Sequence, residues 1–169
     1  MFEEVALGVD PGTASVGLAS VRRERGRPVV LWTSTLRTPS GLGTERRLRL
    51  VHEGVKAAIA DQRPSVLALE RLMWGRNVGS AMEVARASGV IMLAAAEAGV
   101  PIEEYAPLEV KMAVTGVGNA SKEQVRRGLV RILSVRDVPT QADGADAVAI
   151  AVCHLHQSRV RRAVGQVVG

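Results

Sequence analysis

Ser65 to Glu70 contains an unbroken apolar run, Val66-Leu67-Ala68-Leu69, with Pro64 before it and the charged pair Glu70-Arg71 after it. The run is too short for a helix. With no polar alternation, it reads as a strand covered on both faces. A sheet containing such a strand needs helices on both sides. On its N-terminal side, Leu48, Val51, Val55, Ala58 and Ile59 recur at helical spacing, and Arg46, Arg47, Arg49, Glu53 and Lys56 fall off that stripe. On its C-terminal side a long helix is expected over Val78 to Ala98, with Gly99 as its cap. Earlier segments read as three strands, Val5 to Asp10, Ala14 to Arg22 and Val29 to Leu36, joined by turns at Pro11-Gly12-Thr13 and Glu24 to Pro28. Later ones read as a strand from Val100 to Tyr105 and a short helix from Pro107 to Val114. A flexible loop, Thr115 to Ala120, then leads to a helix opened by the Ser121/Gln124 capping box. Thr140 is placed to cap a last helix running to about Arg162. This order predicts an α/β fold, a mixed five-stranded sheet of three antiparallel strands and then parallel ones, flanked by helices.

The 169 residues favour one domain over 1–169, with 159–169 as a short basic C-terminal tail. Aromatic residues are limited to Phe2, Trp32, Trp74 and Tyr105. The core is therefore aliphatic, and broad stacking platforms for single strands are not expected. A net charge of +5 suits an acidic partner such as nucleic acid. The lone Cys153 excludes an internal disulfide framework and fits a reducing cytoplasm. No signal peptide is read at the acidic N-terminus, and unbroken apolar runs such as Val90 to Ala96 are too short to span a membrane.

Four carboxylates stand at the edges of apolar runs. Asp10 closes Val5 to Val9, Glu70 closes Val66 to Leu69, and Asp143 and Asp146 open the run Ala147 to Val152. A carboxylate in such a place needs a donor, a basic side chain or a cation. Each has an ordinary reading: an Asx turn at Asp10, a solvated strand end at Glu70 beside Arg71 or Arg63, and first-turn acids on a helix at Asp143 and Asp146. Read together, in a basic chain, they suggest a divalent-metal site acting on phosphate. Mg²⁺ takes carboxylate oxygens, and two ions about 3.5–4 Å apart can stabilise attacking and leaving oxygens in an in-line displacement. Mn²⁺ accepts the same oxygen set. His52, His154 and His156 lack zinc spacing and read as structural or solvated. Basic groups near this site are Lys111 and Lys122, flanking the Gly116-Gly118 loop, and Arg76 with Asn77. Arg126, Arg127 and Arg131, and Arg159, Arg161 and Arg162, could add phosphate affinity as a set. Trp74, in a polar loop, could insert against a base or anchor the core.

The ordered set of motifs resembles the RuvC Holliday-junction resolvases, a family of ribonuclease H-like fold. It comprises Gly8-Val9-Asp10-Pro11-Gly12-Thr13, Leu69-Glu70, Asn77 with Ser80-Ala81, Tyr105, Val110-Lys111, Gly116-Val117-Gly118 with Lys122, and Gln141 to Ala147. The likeness covers roughly residues 4 to 158. It implies that Asp10, Glu70, Asp143 and Asp146 bind the catalytic divalent ions, and that Lys111 and Lys122 approach the DNA backbone near the cut. It implies a homodimer through the helix near 78–98, four-way junction DNA as substrate and a branch-migration motor of RuvA/RuvB type as partner. Its roles would be in DNA recombination and repair. Some relatives carry a phenylalanine three residues after the glutamate. Met73 stands there in this chain, with Trp74 beside it, which leaves the stacking role and the preferred cutting sequence open.

The expected reaction is metal-dependent hydrolysis of a phosphodiester at a four-way junction, by two symmetric cuts that leave 5′-phosphate and 3′-hydroxyl ends. Alternatives are a ribonuclease H-like enzyme acting on RNA or hybrids, an actin-like nucleotide-binding protein sharing the Asp-x-Gly-Thr loop, and a DNA-binding adaptor with a dead site. Chain length argues against the actin-like reading, which needs a second domain to close its cleft.

Overall fold

A computed structural model of the chain describes residues 4–73, 77–138 and 142–167, with the side chains of 142, 143 and 162–167 outside that description. The elements follow in the expected order: β1 (Val5–Asp10), β2 (Ser15–Glu24), β3 (Arg27–Arg37), α1 (Thr44–Gln62), β4 (Val66–Glu70), α2 (Val78–Glu97), β5 (Ile102–Tyr105), α3 (Pro107–Thr115), α4 (Lys122–Leu133) and α5 (Ala142–Val167). The sheet order is β3-β2-β1-β4-β5. β1, β2 and β3 pair antiparallel, whereas β4 runs parallel to β1 and β5 parallel to β4.

Alternation along the central strands divides the core in two. Leu7, Val9, Leu18, Leu67 and Leu69 face α1 and α2, packing with Val51, Val55, Ile91 and Ala94. The intervening residues Ala6, Ala19, Val66 and Ala68 face α5, packing with Ala147 to Cys153. Side chains on this second face are small, so α5 lies close to the sheet. At Gly8 a β-carbon would fall 2.1 Å from the Ala147 carbonyl oxygen and 2.9 Å from the Ala151 nitrogen. Backbone meets backbone there, and only glycine fits.

Several boundaries differ from those read in the sequence. The β2–β3 turn shrinks to Arg25 and Gly26, both with positive φ (47° and 85°), so each strand gains residues. Positive φ at both central positions matches the twist of a tight hairpin. Pro28 falls inside β3, which is tolerated because β3 is an edge strand. α5 continues to Val167, so the basic segment from Arg159 extends the helix rather than leaving it as a tail. The Ser121/Gln124 capping box is present, whereas Thr140 lies outside the described residues. α2 has the length and composition to cross a membrane, a property hidden from a count of unbroken apolar runs because Glu83 and Arg86 interrupt it. Here it packs on α1 and buries Ala87, Ile91, Ala94 and Ala95.

A buried polar chain ties the start of β1 to α5 and β5. His154 lies between the Tyr105 hydroxyl (2.8 Å from Nδ1) and the Glu4 carboxylate (3.1 Å from Nε2). Ser158 donates to the other Glu4 oxygen, and Arg161 donates to the Tyr105 hydroxyl. Burial pushes the Tyr105 hydroxyl up to about 12, so it stays protonated. The Cys153 thiol is also pushed up to about 12 by burial, which makes it an inert core residue.

Candidate active site

Strand alternation also decides where the acids go. Asp10 and Glu70 share the parity of Ala6 and Ala68, so both turn toward α5. The β1–β4 register pairs Val9 with Leu69, which makes Asp10 and Glu70 neighbours at the carboxyl ends of two parallel strands. α5 begins beside that end and supplies Asp146. These three carboxylates line one pocket of about 290 Å³ together with Lys111 of α3 and Lys122, the first residue of α4. Asp143 stands in the first turn of α5, and its side chain is outside the described set.

The electrostatics are those of crowded acids. Burial, then the Asp146 charge, raises the Glu70 carboxyl above its ordinary value, with Lys122 and Lys111 opposing. The Lys122 ammonium sits 3.2 Å from Asp146 while its side chain is 90% exposed. The donors are oxygens with no thiolate or imidazole among them, which fits a hard divalent cation. Among the described residues no three Asp, Glu, His or Cys side chains converge closely enough to hold an ion by themselves.

An ionised Glu70 should therefore cost the metal-free fold stability. Its neutral form is favoured when folded, so stability falls as pH rises from the unfolded value near 4.5 through the higher folded one. Glu70→Gln should melt higher than the parent in EDTA at neutral pH, with the gain vanishing at acidic pH. Mg²⁺ should raise the melting temperature of the parent and not of the variant. A variant that melts lower at neutral pH, or that gains as much from Mg²⁺ as the parent, would count against the carboxylate as a cation ligand.

Asp10 also borders a second groove of about 650 Å³, between Pro11-Gly12-Thr13 and the start of α2 at Gly79, Ser80 and Glu83. The turn after Asp10 is held from two sides. The Thr13 hydroxyl donates to Glu83 Oε2 (2.8 Å), and its carbonyl accepts from Thr38 Oγ1 (2.5 Å), which itself accepts from Arg47 Nε (2.9 Å). Nothing in the local sequence marks Glu83 as a partner of this turn, because it is 70 residues away in the chain. Asn77 caps α2, its side-chain oxygen accepting from the Ser80 amide (3.1 Å). Met73 is exposed, and Trp74 and Arg76 lie outside the described residues. Arg126 pairs with Asp137 (2.6 Å) and Arg161 with Glu103 (3.2 Å).

A five-stranded mixed sheet with carboxylates at the ends of its two central parallel strands, and another on the helix crossing them, defines a nuclease of the ribonuclease H-like class. The profile described as crossover junction endodeoxyribonuclease RuvC matches residues 6–154, and the chain belongs to that family. A relative from Rubrobacter xylanophilus named crossover junction endodeoxyribonuclease RuvC is 43% identical, covering 96% of this chain and 91% of its own length. One of the same name from Moorella thermoacetica is 42% identical, with 96% and 98% covered. Among solved structures, Thermus thermophilus RuvC in complex with a Holliday junction substrate is 32% identical (TM-score 0.86, covering 93% of this chain and 96% of that one). The yeast mitochondrial Holliday junction resolvase Ydc2, at 13% identity and a TM-score of 0.69, shares the fold.

Proposed function

We propose that this chain is a structure-selective endodeoxyribonuclease that resolves four-way DNA junctions by two symmetric cuts, leaving 5′-phosphate and 3′-hydroxyl ends, in recombination and repair in the cytoplasm. The observation that carries the reading is the convergence of Asp10, Glu70 and Asp146 on one pocket with Lys111 and Lys122, in a chain of this family. Asp10, Glu70, Asp146 and, by family resemblance, Asp143 would hold two Mg²⁺ ions, with Mn²⁺ as a substitute. Such ions supply Lewis acidity toward the phosphodiester and a more acidic water.

The protein's own residues do the positioning. Lys111 and Lys122 stand where a scissile strand's phosphates would lie and offset the negative charge of the acids. The groove past Thr13 and Ser80 continues the track from Asp10, with the α2 amino terminus at its wall. Asn77 caps the helix at this wall, and Met73, Trp74 and Arg76 are proposed as junction contacts by family resemblance. Cleavage of a synthetic four-way junction, a linear duplex and an RNA–DNA hybrid tests the substrate class. The junction should be nicked in pairs and the others spared. Equal cutting of the hybrid would favour the ribonuclease reading.

Paired cuts call for two sites. α2 carries an exposed stripe of Val78, Met82, Ala85, Gly89 and Leu93, each three or four residues from the next. That is the seam of a helix packed against a second helix. A twofold dimer through it would suit the twofold substrate, and a branch-migration motor is the further partner implied by family resemblance. Leu93→Asp should sediment as a monomer and nick one strand at a time. A dimer that survives this change would place the interface elsewhere.

A further inference from the structure

A cavity of about 420 Å³ opens at the end of the sheet opposite the acids, between the β2–β3 turn and the faces of α3, α4 and α5. Its floor is aliphatic, with Ile132, Val152 and Leu155, and its rim carries Arg27, His156 and Arg159. Among the described residues no acidic side chain lines it. Past Pro28 the apolar surface continues into a smaller hollow of about 130 Å³ formed with Val30 and Leu133, alongside edge strand β3.

The separation from the acid pocket follows from the fold. Arg22 pairs with Val5 and Gly17 with Asp10, so the β2–β3 turn lies a full strand length from Asp10. Along α5 the distance from Asp146 to Arg159 is about 20 Å at the helical rise.

We infer that this trough is a docking site for an acidic, amphipathic peptide segment of a partner protein, one that places aliphatic or aromatic side chains on the floor and carboxylates against Arg27 and Arg159. Charge complementarity selects the acidic occupant, since every described charged group on the rim is basic. The aliphatic lining selects a peptide over a DNA backbone, whose phosphates and sugars would gain nothing from covering the half-buried Pro28, Ala113 and Ile132. A second hollow that shares Pro28 with the first and lies beside an edge strand selects a chain segment over a compact small molecule.

Fluorescence polarisation with a labelled peptide, in which a Leu-Phe pair is flanked on both sides by glutamates, tests this. The full-length protein should bind it saturably. Replacing Leu-Phe by Ser-Ser in the probe should weaken binding at least about tenfold, a difference of about 1.4 kcal/mol. Arg27→Glu combined with Arg159→Glu should weaken it as much, with circular dichroism confirming that the variant folds. Saturating junction DNA should leave the peptide bound. Equal binding of the Ser-Ser probe would reduce the trough to a basic surface and overturn the inference. So would displacement by DNA, indifference to the arginine reversals, or no binding at millimolar peptide. None of these outcomes bears on junction cutting, which the acid pocket decides.

Discussion

Asp10→Asn should bind a four-way junction as tightly as the parent protein, or slightly more tightly, and cut it slower by about a thousandfold or more. Asparagine keeps the shape of the strand tip and one oxygen acceptor but removes the charge. Asp10 borders both the acid pocket and the groove beside α2, so its loss touches the point where the scissile phosphate would lie. Binding should survive because on this proposal DNA affinity would come from cations such as Lys111 and Lys122, and fewer fixed negative charges repel the backbone less. Electrophoretic mobility shift and single-turnover cleavage on the same junction separate the two effects. Rapid cutting by the variant with Mg²⁺ present would reject the mechanism, and equal loss of binding would make Asp10 a structural residue.

The second large effect is on folding. Gly8→Val should give little folded protein, and Gly8→Ala should lose about 1–3 kcal/mol in urea denaturation. An added β-carbon meets the Ala147 carbonyl and the Ala151 amide, neither of which can rotate out of the way, so α5 must lift from β1. α5 also carries Asp146, so any Gly8→Ala protein that folds should cut more slowly even where its stability is adequate. Wild-type stability and activity in Gly8→Ala would mean that α5 does not sit against β1 as described.

Much of this architecture was legible in the sequence because strand burial leaves a simple pattern. The apolar run Val66 to Leu69 pointed to helices on both faces, and the structure has α1 and α2 on one side and α5 on the other. Parallel pairing of β4 with β1, which puts Asp10 beside Glu70, is supplied by the structure. Three features were not legible. The tight Arg25-Gly26 turn depends on two backbone dihedrals, and the surrounding charged residues disguised it as a longer loop. The Glu83 brace on Thr13 is a contact between distant segments with no local signature. The length of α2 was legible, but its overall apolar character was hidden because Glu83 and Arg86 break its apolar runs.

The central claim is that carboxylates from β1, β4 and α5 act together, through divalent cations, on the strands of a four-way junction. The most direct test maps the ends of a labelled synthetic junction after cutting, in Mg²⁺, in Mn²⁺ and in EDTA. The account predicts paired nicks at symmetric positions, abolished by EDTA, with ends that DNA ligase reseals without prior treatment. Cutting undiminished by EDTA, or ends that ligase cannot join, would contradict it.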